Sequence, residues 1–198
     1  MLQTTSLHRL HVGPIDLTVD TGTCVSISGK SGTGKSVLLR MIADLDPHEG
    51  DAALGGKSCA GMPAAQWRRH VGYLAAESGW WDTLVRAHFA SGIDFGALLP
   101  SLGIAADAAD WPVARLSTGE RQRLALLRAL TPDTRVLLLD EPTSALDASS
   151  TALVEALLHR QLDQGMTILL VTHSPAQADR LASRHLDMQD GRLVEKLA

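Results

Sequence analysis

Cysteine, aromatic residues and long apolar runs are all scarce in this chain. Cys24 and Cys59 are its two cysteines. They stand far apart without metal-ligand spacing and read as thiols of a reducing compartment rather than as a disulfide. Aromatic residues make up 4% of the sequence, and none precedes Trp67. No stretch approaches the roughly eighteen apolar residues of a membrane span, so direct membrane insertion is not expected. The first residues carry no basic segment leading into an apolar one, which argues against export. Positive charge is not in excess either. The formal net charge of −4 excludes a nucleic-acid binder that works through general basicity. What remains is the composition of a cytoplasmic globular domain, 45% hydrophobic and 20% charged over 198 residues.

The stretch that is richest in information is Gly29-Lys30-Ser31-Gly32-Thr33-Gly34-Lys35-Ser36. It fits G-x-x-x-x-G-K-[ST], the pattern of a loop that cradles phosphate. Glycines allow the tight turn and bring backbone N–H groups close to phosphate oxygens. Lys35 supplies a point charge for the β and γ oxygens, and the Ser36 hydroxyl is a ligand for Mg²⁺. Residues 23–28 read as a strand entering the loop. Residues 37–45 read as a helix leaving it, with Leu38, Leu39, Ile42 and Leu45 on one stripe. The dipole of that helix favours an anion at its start.

The rest alternates. Ile15, Leu17 and Val19 mark an early strand, and residues 51–54 and 71–74 two more. Residues 82–112, rich in Ala and Leu and cut by Gly92, Gly96, Pro100 and Gly103, predict a small helical insert. Helices at 120–130, 148–162 and 175–182 then alternate with strands at 135–139 and 167–171. A terminal strand pair turns at Asp190-Gly191. Such alternation predicts an α/β fold with a mostly parallel sheet covered on both faces. The chain is expected to be one domain over 1–198, with a core at about 1–75 and 112–198.

Val136-Leu137-Leu138-Leu139 fits a strand buried on both faces, ending in Asp140 and Glu141. Ligands bind at the carboxyl ends of such strands. Asp140 is placed to hold Mg²⁺ through water, and Glu141 to orient or deprotonate an attacking water.

Several motifs in order resemble the nucleotide-binding subunit of an ATP-binding cassette (ABC) transporter. Leu116-Ser117-Thr118-Gly119-Glu120-Arg121-Gln122-Arg123 resembles the family signature, Ser144-Ala145-Leu146-Asp147 its D-loop, and His173 its switch histidine. The resemblance covers nearly the whole chain. It implies a RecA-like P-loop NTPase core with an N-terminal antiparallel β subdomain and a short α-helical insert. It implies ATP and Mg²⁺ as cofactors, and catalytic roles for Glu141 and His173. It implies a homodimer, or a pairing with another cassette, in which Ser117, Thr118, Gly119 and Glu120 act on the opposing subunit's ATP. Integral-membrane permease subunits are the implied partners, holding the cassette at the inner face of the cell membrane. The alternatives are a soluble ABC-type ATPase uncoupled from transport, or a regulatory cassette with weak hydrolysis.

Local physics reads some of these residues independently. Ser117-x-x-Glu120 before a helix is a capping box, and Asp147 suits an N-cap. Three departures from the family pattern stand out. Ala76 occupies the position of the usual glutamine after residues 71–74, with Glu77 next to it as a substitute metal ligand. Thr118 replaces a signature glycine, which requires a negative φ. The aromatic residue that stacks on adenine is missing, leaving His8, Arg9 or His11 and predicting poor discrimination between ATP and GTP. Adjacent Trp80 and Trp81 read either as docking anchors for the permease or as core of the insert.

Overall fold

The structure, a computed structural model, describes residues 1–196. Strands β1 (Leu2–Arg9), β2 (Val12–Val19) and β3 (Cys24–Ser28) precede helix α1 (Lys35–Ile42). Then come β4 (Glu49–Leu54), β5 (Lys57–Ser58), α2 (Ala64–His70), β6 (Val71–Leu74) and the short α3 (Phe95–Leu98). The remainder is α4 (Thr118–Ala129), β7 (Val136–Asp140), α5 (Ala148–Asp163), β8 (Thr167–Val171), α6 (Pro175–Leu181), β9 (Arg184–Gln189) and β10 (Arg192–Glu195).

The strands form two sheets, an antiparallel one in the order β2-β1-β4-β5 and a larger one in the order β10-β9-β3-β8-β7-β6. In the larger sheet β3, β6, β7, β8 and β9 run parallel, and β10 returns antiparallel to β9. This is the expected α/β architecture with its N-terminal antiparallel subdomain. Successive residues of each central strand serve opposite cores, as strand geometry requires. Val25, Ile27, Val136, Leu138, Leu169 and Val171 pack toward α1 and the smaller sheet. Cys24, Leu137, Leu139, Ile168 and Leu170 pack toward α4, α5 and residues 82–112.

α1 lies between the two sheets, so Leu38, Leu39, Met41 and Ile42 are all buried rather than one stripe of them. The helix stops at Ile42 because Asp44 turns the chain at φ 53. Leu45 therefore falls outside the helix and is partly exposed. α5 is opened by Asp147, whose carboxylate accepts from Ser150 N–H at 2.7 Å, and it closes before Gly165 at φ 88.

Residues 82–112 differ from the helical insert expected. Only α3 is α-helical there, and Val85–His88, Pro100–Leu102 and Ala106–Asp110 are 3₁₀ turns. Gly92 at φ 86, Gly103 at φ 65 and Pro100 interrupt the chain before a second α-turn can close. The segment coheres through Val85, Leu99, Leu102, Ile104 and Ala108, which are buried with Leu124 of α4 and Val154 of α5. Backbone bonds from Val85 N–H to Trp111 O and from Val113 N–H to Thr83 O close its base. Among the described residues no helix is long and apolar enough to cross a membrane.

Candidate functional site

The parallel register brings the chemistry to one end of the larger sheet. Val171 stands level with Ile27 of β3 on one side and with Asp140 of β7 on the other, and Leu74 of β6 stands level with Leu139. The loop 29–34, the Asp140-Glu141 pair, the Thr172-His173 turn and residues 75–78 therefore leave the sheet together. Their sequence separation exceeds a hundred residues; the sheet removes it.

The loop is shaped by its glycines. Gly29 has φ 137, and a Cβ there would stand 2.6 Å from Met188 O. Gly34 has φ 103, and a Cβ would stand 2.2 Å from Val12 Cγ2. Lys35 is buried, its ammonium donating to Gly29 O at 2.7 Å and Lys30 O at 3.0 Å. Thr33 Oγ1 also donates to Lys30 O, at 2.9 Å. The loop is thus wound round its own lysine at the N-terminus of α1, a geometry that suits an anion. Ser36 lies in the first turn of α1, whereas Ser31 and Gly32 form the turn of the loop above it.

Asp140 is buried, and the Tyr73 hydroxyl donates to its Oδ2 at 3.4 Å. Burial, and then the Asp140 carboxylate, push the Tyr73 hydroxyl up to about 12, so it stays protonated as a donor. Glu141 adopts a left-handed φ of 52, held by its N–H bonding to Val171 O at 3.0 Å. Its carboxyl is raised above the usual range, chiefly by burial. Oε2 accepts from His173 N–H at 3.4 Å. Oε1 is buried and makes no hydrogen bond among the described residues, although His173 Nε2 is 3.4 Å away. That unpartnered oxygen beside an imidazole is a place for a water molecule.

Ser117 and Glu120 form the reciprocal capping box at the start of α4. Glu120 N–H donates to Ser117 Oγ at 3.2 Å, and Glu120 Oε2 accepts from Ser117 N–H at 2.8 Å. Thr118 opens the helix with an ordinary helical backbone, so its Cβ meets no conformational penalty. Gly119 packs against the 144–147 turn, where a Cβ would stand 3.1 Å from Leu146 Cδ2 and 3.3 Å from Ala145 O. In that turn Ser144 Oγ donates to Glu141 O at 3.1 Å, and Asp147 caps α5. The Ser150 N–H, then the Ser149 hydroxyl, hold the Asp147 carboxyl below its usual range.

The remaining expectations divide. Glu77 is exposed and lines a cavity of about 270 Å³ with Thr118, Arg121, Gln122 and Ser144; it makes no hydrogen bond to Asp140 or Ser36 among the described residues. His8 is engaged with Glu49 at 3.4 Å, and Arg9 donates to Pro47 O at 3.1 Å. His11 stays exposed at the β1–β2 turn beside Leu10, which is 79% exposed. Trp80 is half-buried against the second core while Trp81 is 70% exposed, and the Arg128 guanidinium lies over both rings at 4.8 and 4.7 Å. Tyr73 and Leu10 are invisible to motif reasoning, since only their position in the fold marks them; Gln122 lies in the signature-like stretch, but its partners are set by the fold.

A glycine-rich loop between a central parallel strand and a buried helix, with acids at the end of the parallel strand two places along the sheet, is the frame of a P-loop nucleotide-binding domain. Comparison with known proteins narrows this. The ABC transporter family profile matches residues 12–144. The aliphatic sulfonates import ATP-binding protein SsuB of Rhodopseudomonas palustris (strain BisA53) is 40% identical over 194 residues, covering 91% of this chain and 66% of that protein. The phosphate import ATP-binding protein PstB 2 of Natronomonas pharaonis is 34% identical, covering 91% and 72%. The chain spans 66%, 64% and 57% of the lengths of three SsuB relatives. A dimeric post-hydrolysis structure of the ATP-binding cassette MJ0796 bound to ADP and Pi shares the fold at a TM-score of 0.85. It is 24% identical, with 98% of this chain and 96% of that one covered. The chain belongs to the ABC transporter family.

Proposed function

We propose that this chain is the ATP-binding and hydrolysing subunit of an ABC transporter. Two copies close on ATP and drive a solute through separate integral-membrane permease subunits, which hold the cassette on the cytoplasmic side of the membrane. The observation that carries the reading is the buried, unpartnered Glu141 Oε1, 3.4 Å from His173 Nε2, at the same sheet end as the Lys35 loop.

The residues present fit a magnesium ion. Asp140 is a carboxylate buried with one long hydrogen bond, an arrangement that a cation stabilises. Among the described residues no three His, Cys, Asp or Glu side chains converge. Ser36 and Asp140, with phosphate oxygens, would therefore supply the hard-oxygen set, and Glu77 is proposed to join it when the dimer closes. Held there, the ion would supply positive charge to offset the negative charge that develops on the phosphates.

ATP phosphates take the place of the Gly29 and Lys30 carbonyls as partners of the Lys35 ammonium. The N–H groups of 30–36 and the α1 dipole hold the same anion. Glu141 takes a proton from the attacking water as its oxygen adds to the γ-phosphorus, while the bond from that phosphorus to the β–γ bridging oxygen breaks and ADP leaves. His173 keeps the Glu141 carboxylate turned toward that water and contacts the γ-phosphate. Ser117, Thr118, Gly119 and Glu120 sit at a capped helix N-terminus, an anion site for the opposing subunit's ATP. Ser144, Ala145, Leu146 and Asp147 connect that site with Glu141. One domain is proposed, with its core at about 1–75 and 112–198 and an insert at about 82–112, a division that the backbone bonds at the base of residues 82–112 support.

Sedimentation of a Glu141→Gln variant tests this reading. In saturating Mg-ATP it should run as a dimer and hydrolyse nothing, while the wild-type chain turns ATP over. A variant that stays monomeric both alone and with its permease would overturn it.

A further inference from the structure

One buried polar side chain near the site has no part in the mechanism above. Gln122, in the second turn of α4, is 6% exposed. Its Nε2 donates to Glu141 O at 2.7 Å and reaches Ser144 Oγ at 3.4 Å, and its Oε1 accepts from Ala145 N–H at 3.3 Å. A single amide thus joins three segments: the signature helix, the residue that bears the proposed base, and the 144–147 turn.

We propose that Gln122 is a positioning residue that couples the two ATP sites of the dimer. Engagement of the opposing subunit's ATP by the start of α4 is transmitted through Gln122 to the same subunit's own Glu141. The proposal rests on the head-to-tail dimer of the preceding reading and goes beyond it by naming the link.

The geometry makes the link stiff. Glu141 sits at φ 52, a conformation that non-glycine residues keep only when their surroundings hold it. Its carbonyl accepts from Gln122 Nε2, from Ser144 Oγ and from Ser144 N–H at 3.3 Å, and the Gln122 bond is the shortest. Either side of Gln122, α4 is pinned to the same turn. Gly119 leaves room for no more than a hydrogen against Leu146 and Ala145 without a neighbour shifting. Arg123 Nη1 donates to Ser150 Oγ at 2.7 Å in a buried bond just past Asp147. The start of α4 therefore cannot shift toward a nucleotide without carrying residues 141 and 144–147 along. With Gln122 gone, the backbone of Glu141 relaxes and its carboxylate leaves the His173 side of the site. Rate suffers, whereas nucleotide binding, which belongs to the 29–36 loop, does not.

Gln122→Ala and Gln122→Glu separate this from a packing role. Glutamate keeps the volume and the acceptor for Ala145 N–H but cannot, when ionised, donate to Glu141 O. The full chain is assayed for kcat, KM for Mg-ATP and the Hill coefficient. Dimerisation in Mg-ATP is measured for each substitution on a Glu141→Gln background, and amide exchange at Ala145 and Leu146 without nucleotide. The expected result is a kcat lower by about a hundredfold, as for a base misplaced by an ångström. KM and dimerisation stay unchanged, the Hill coefficient falls toward one, and exchange at Ala145 speeds up in Gln122→Ala. Unchanged kcat and Hill coefficient in both variants would overturn the proposal. So would a loss of rate that merely tracks lost dimerisation, or unaltered exchange at Ala145. The exchange measurement does not depend on hydrolysis. A wild-type chain that neither dimerises nor turns over ATP would refute the transport reading, while exchange would still judge Gln122.

Discussion

His173 Nε2 stands 3.4 Å from Glu141 Oε1, and the His173 N–H reaches Glu141 Oε2 at the same distance. The backbone of His173 thus holds one oxygen of the carboxylate, while its imidazole stands beside the other, which has no hydrogen-bond partner among the described residues. The imidazole itself is mostly exposed. Removing the ring leaves the backbone contact and the burial, so His173→Ala should fold normally and bind ATP. It should lose turnover by about a hundredfold or more, the size of effect expected when a positioned catalytic group goes. Steady-state ATPase kinetics beside an unchanged melting curve would show this.

Ser117 serves both stability and the proposed contact in trans, and the two can be separated. Ser117→Ala removes the acceptor for Glu120 N–H. Losing such a cap costs about 1 kcal/mol, or roughly 2–4 °C in Tm for a domain of this size. Ser117→Asp keeps a cap but places a carboxylate where the opposing phosphate would sit. It also sets a second carboxylate against Glu120 Oε2, to which Ser117 Oγ donates at 2.8 Å, so its Tm should fall about as far as that of Ser117→Ala, whereas the aspartate alone should abolish ATP-driven dimerisation. Calorimetry and sedimentation read the two effects independently.

Base selectivity follows from the β1–β2 turn. His8 and Arg9 are held by Glu49 and Pro47, leaving Leu10 and His11 exposed there. An aliphatic side chain offers contact area without hydrogen bonds to the base edge. ATP and GTP should therefore support hydrolysis with kcat/KM values within about tenfold, a gap of 1.36 kcal/mol. A Leu10→Tyr change should tighten nucleotide binding. Competition between the two nucleotides in the ATPase assay checks both.

Glu77→Ala bears on the missing glutamine. With the carboxylate acting on the metal after closure, the variant should need a higher Mg²⁺ concentration for half-maximal rate, at unaltered nucleotide affinity in the monomer. A magnesium titration of ATPase activity supplies the answer.

Acid stability depends on the link between α5 and α6. Arg180 donates to both oxygens of Glu155 at 2.7 and 2.8 Å, and Gln177 Nε2 adds a bond at 3.2 Å. The Arg180 bonds chiefly, then Gln177, hold the Glu155 carboxyl below its ordinary 4.5. A carboxyl with a depressed folded pKa contributes its stability above the unfolded value and loses it as pH falls through the folded one. The Tm gap between wild type and Glu155→Gln should therefore be full at pH 7 and shrink once pH drops below about 4.5. Melting curves at stepped pH would record it.

Motifs whose chemistry is local were legible before any fold was known. The glycine-rich loop needs backbone freedom at Gly29 and Gly34, and both carry positive φ. The Ser117–Glu120 box closes within one helical turn, and the Asp190-Gly191 turn joins neighbouring strands. Residues 82–112 are helical only in short pieces, α3 and three 3₁₀ turns, because composition favours helix there while glycine and proline placement permits only single turns. The burial of Met41 beside Leu38, Leu39 and Ile42 is not legible either, because periodicity cannot tell that a helix is covered from both sides.

By itself the sequence determined the identity of the strands, the phosphate-type loop and the order of its motifs, since each depends on neighbours a few bonds away. Tertiary structure alone decided that Lys35, Asp140, Glu141 and His173 share one sheet end, that Trp81 is exposed while Trp80 is not, and that Gln122 holds the Glu141 carbonyl. The reason is strand register: it equalises the heights of Ile27, Asp140 and Val171. Pairing between distant strands is a property of the assembled sheet that no stretch of chain carries alone.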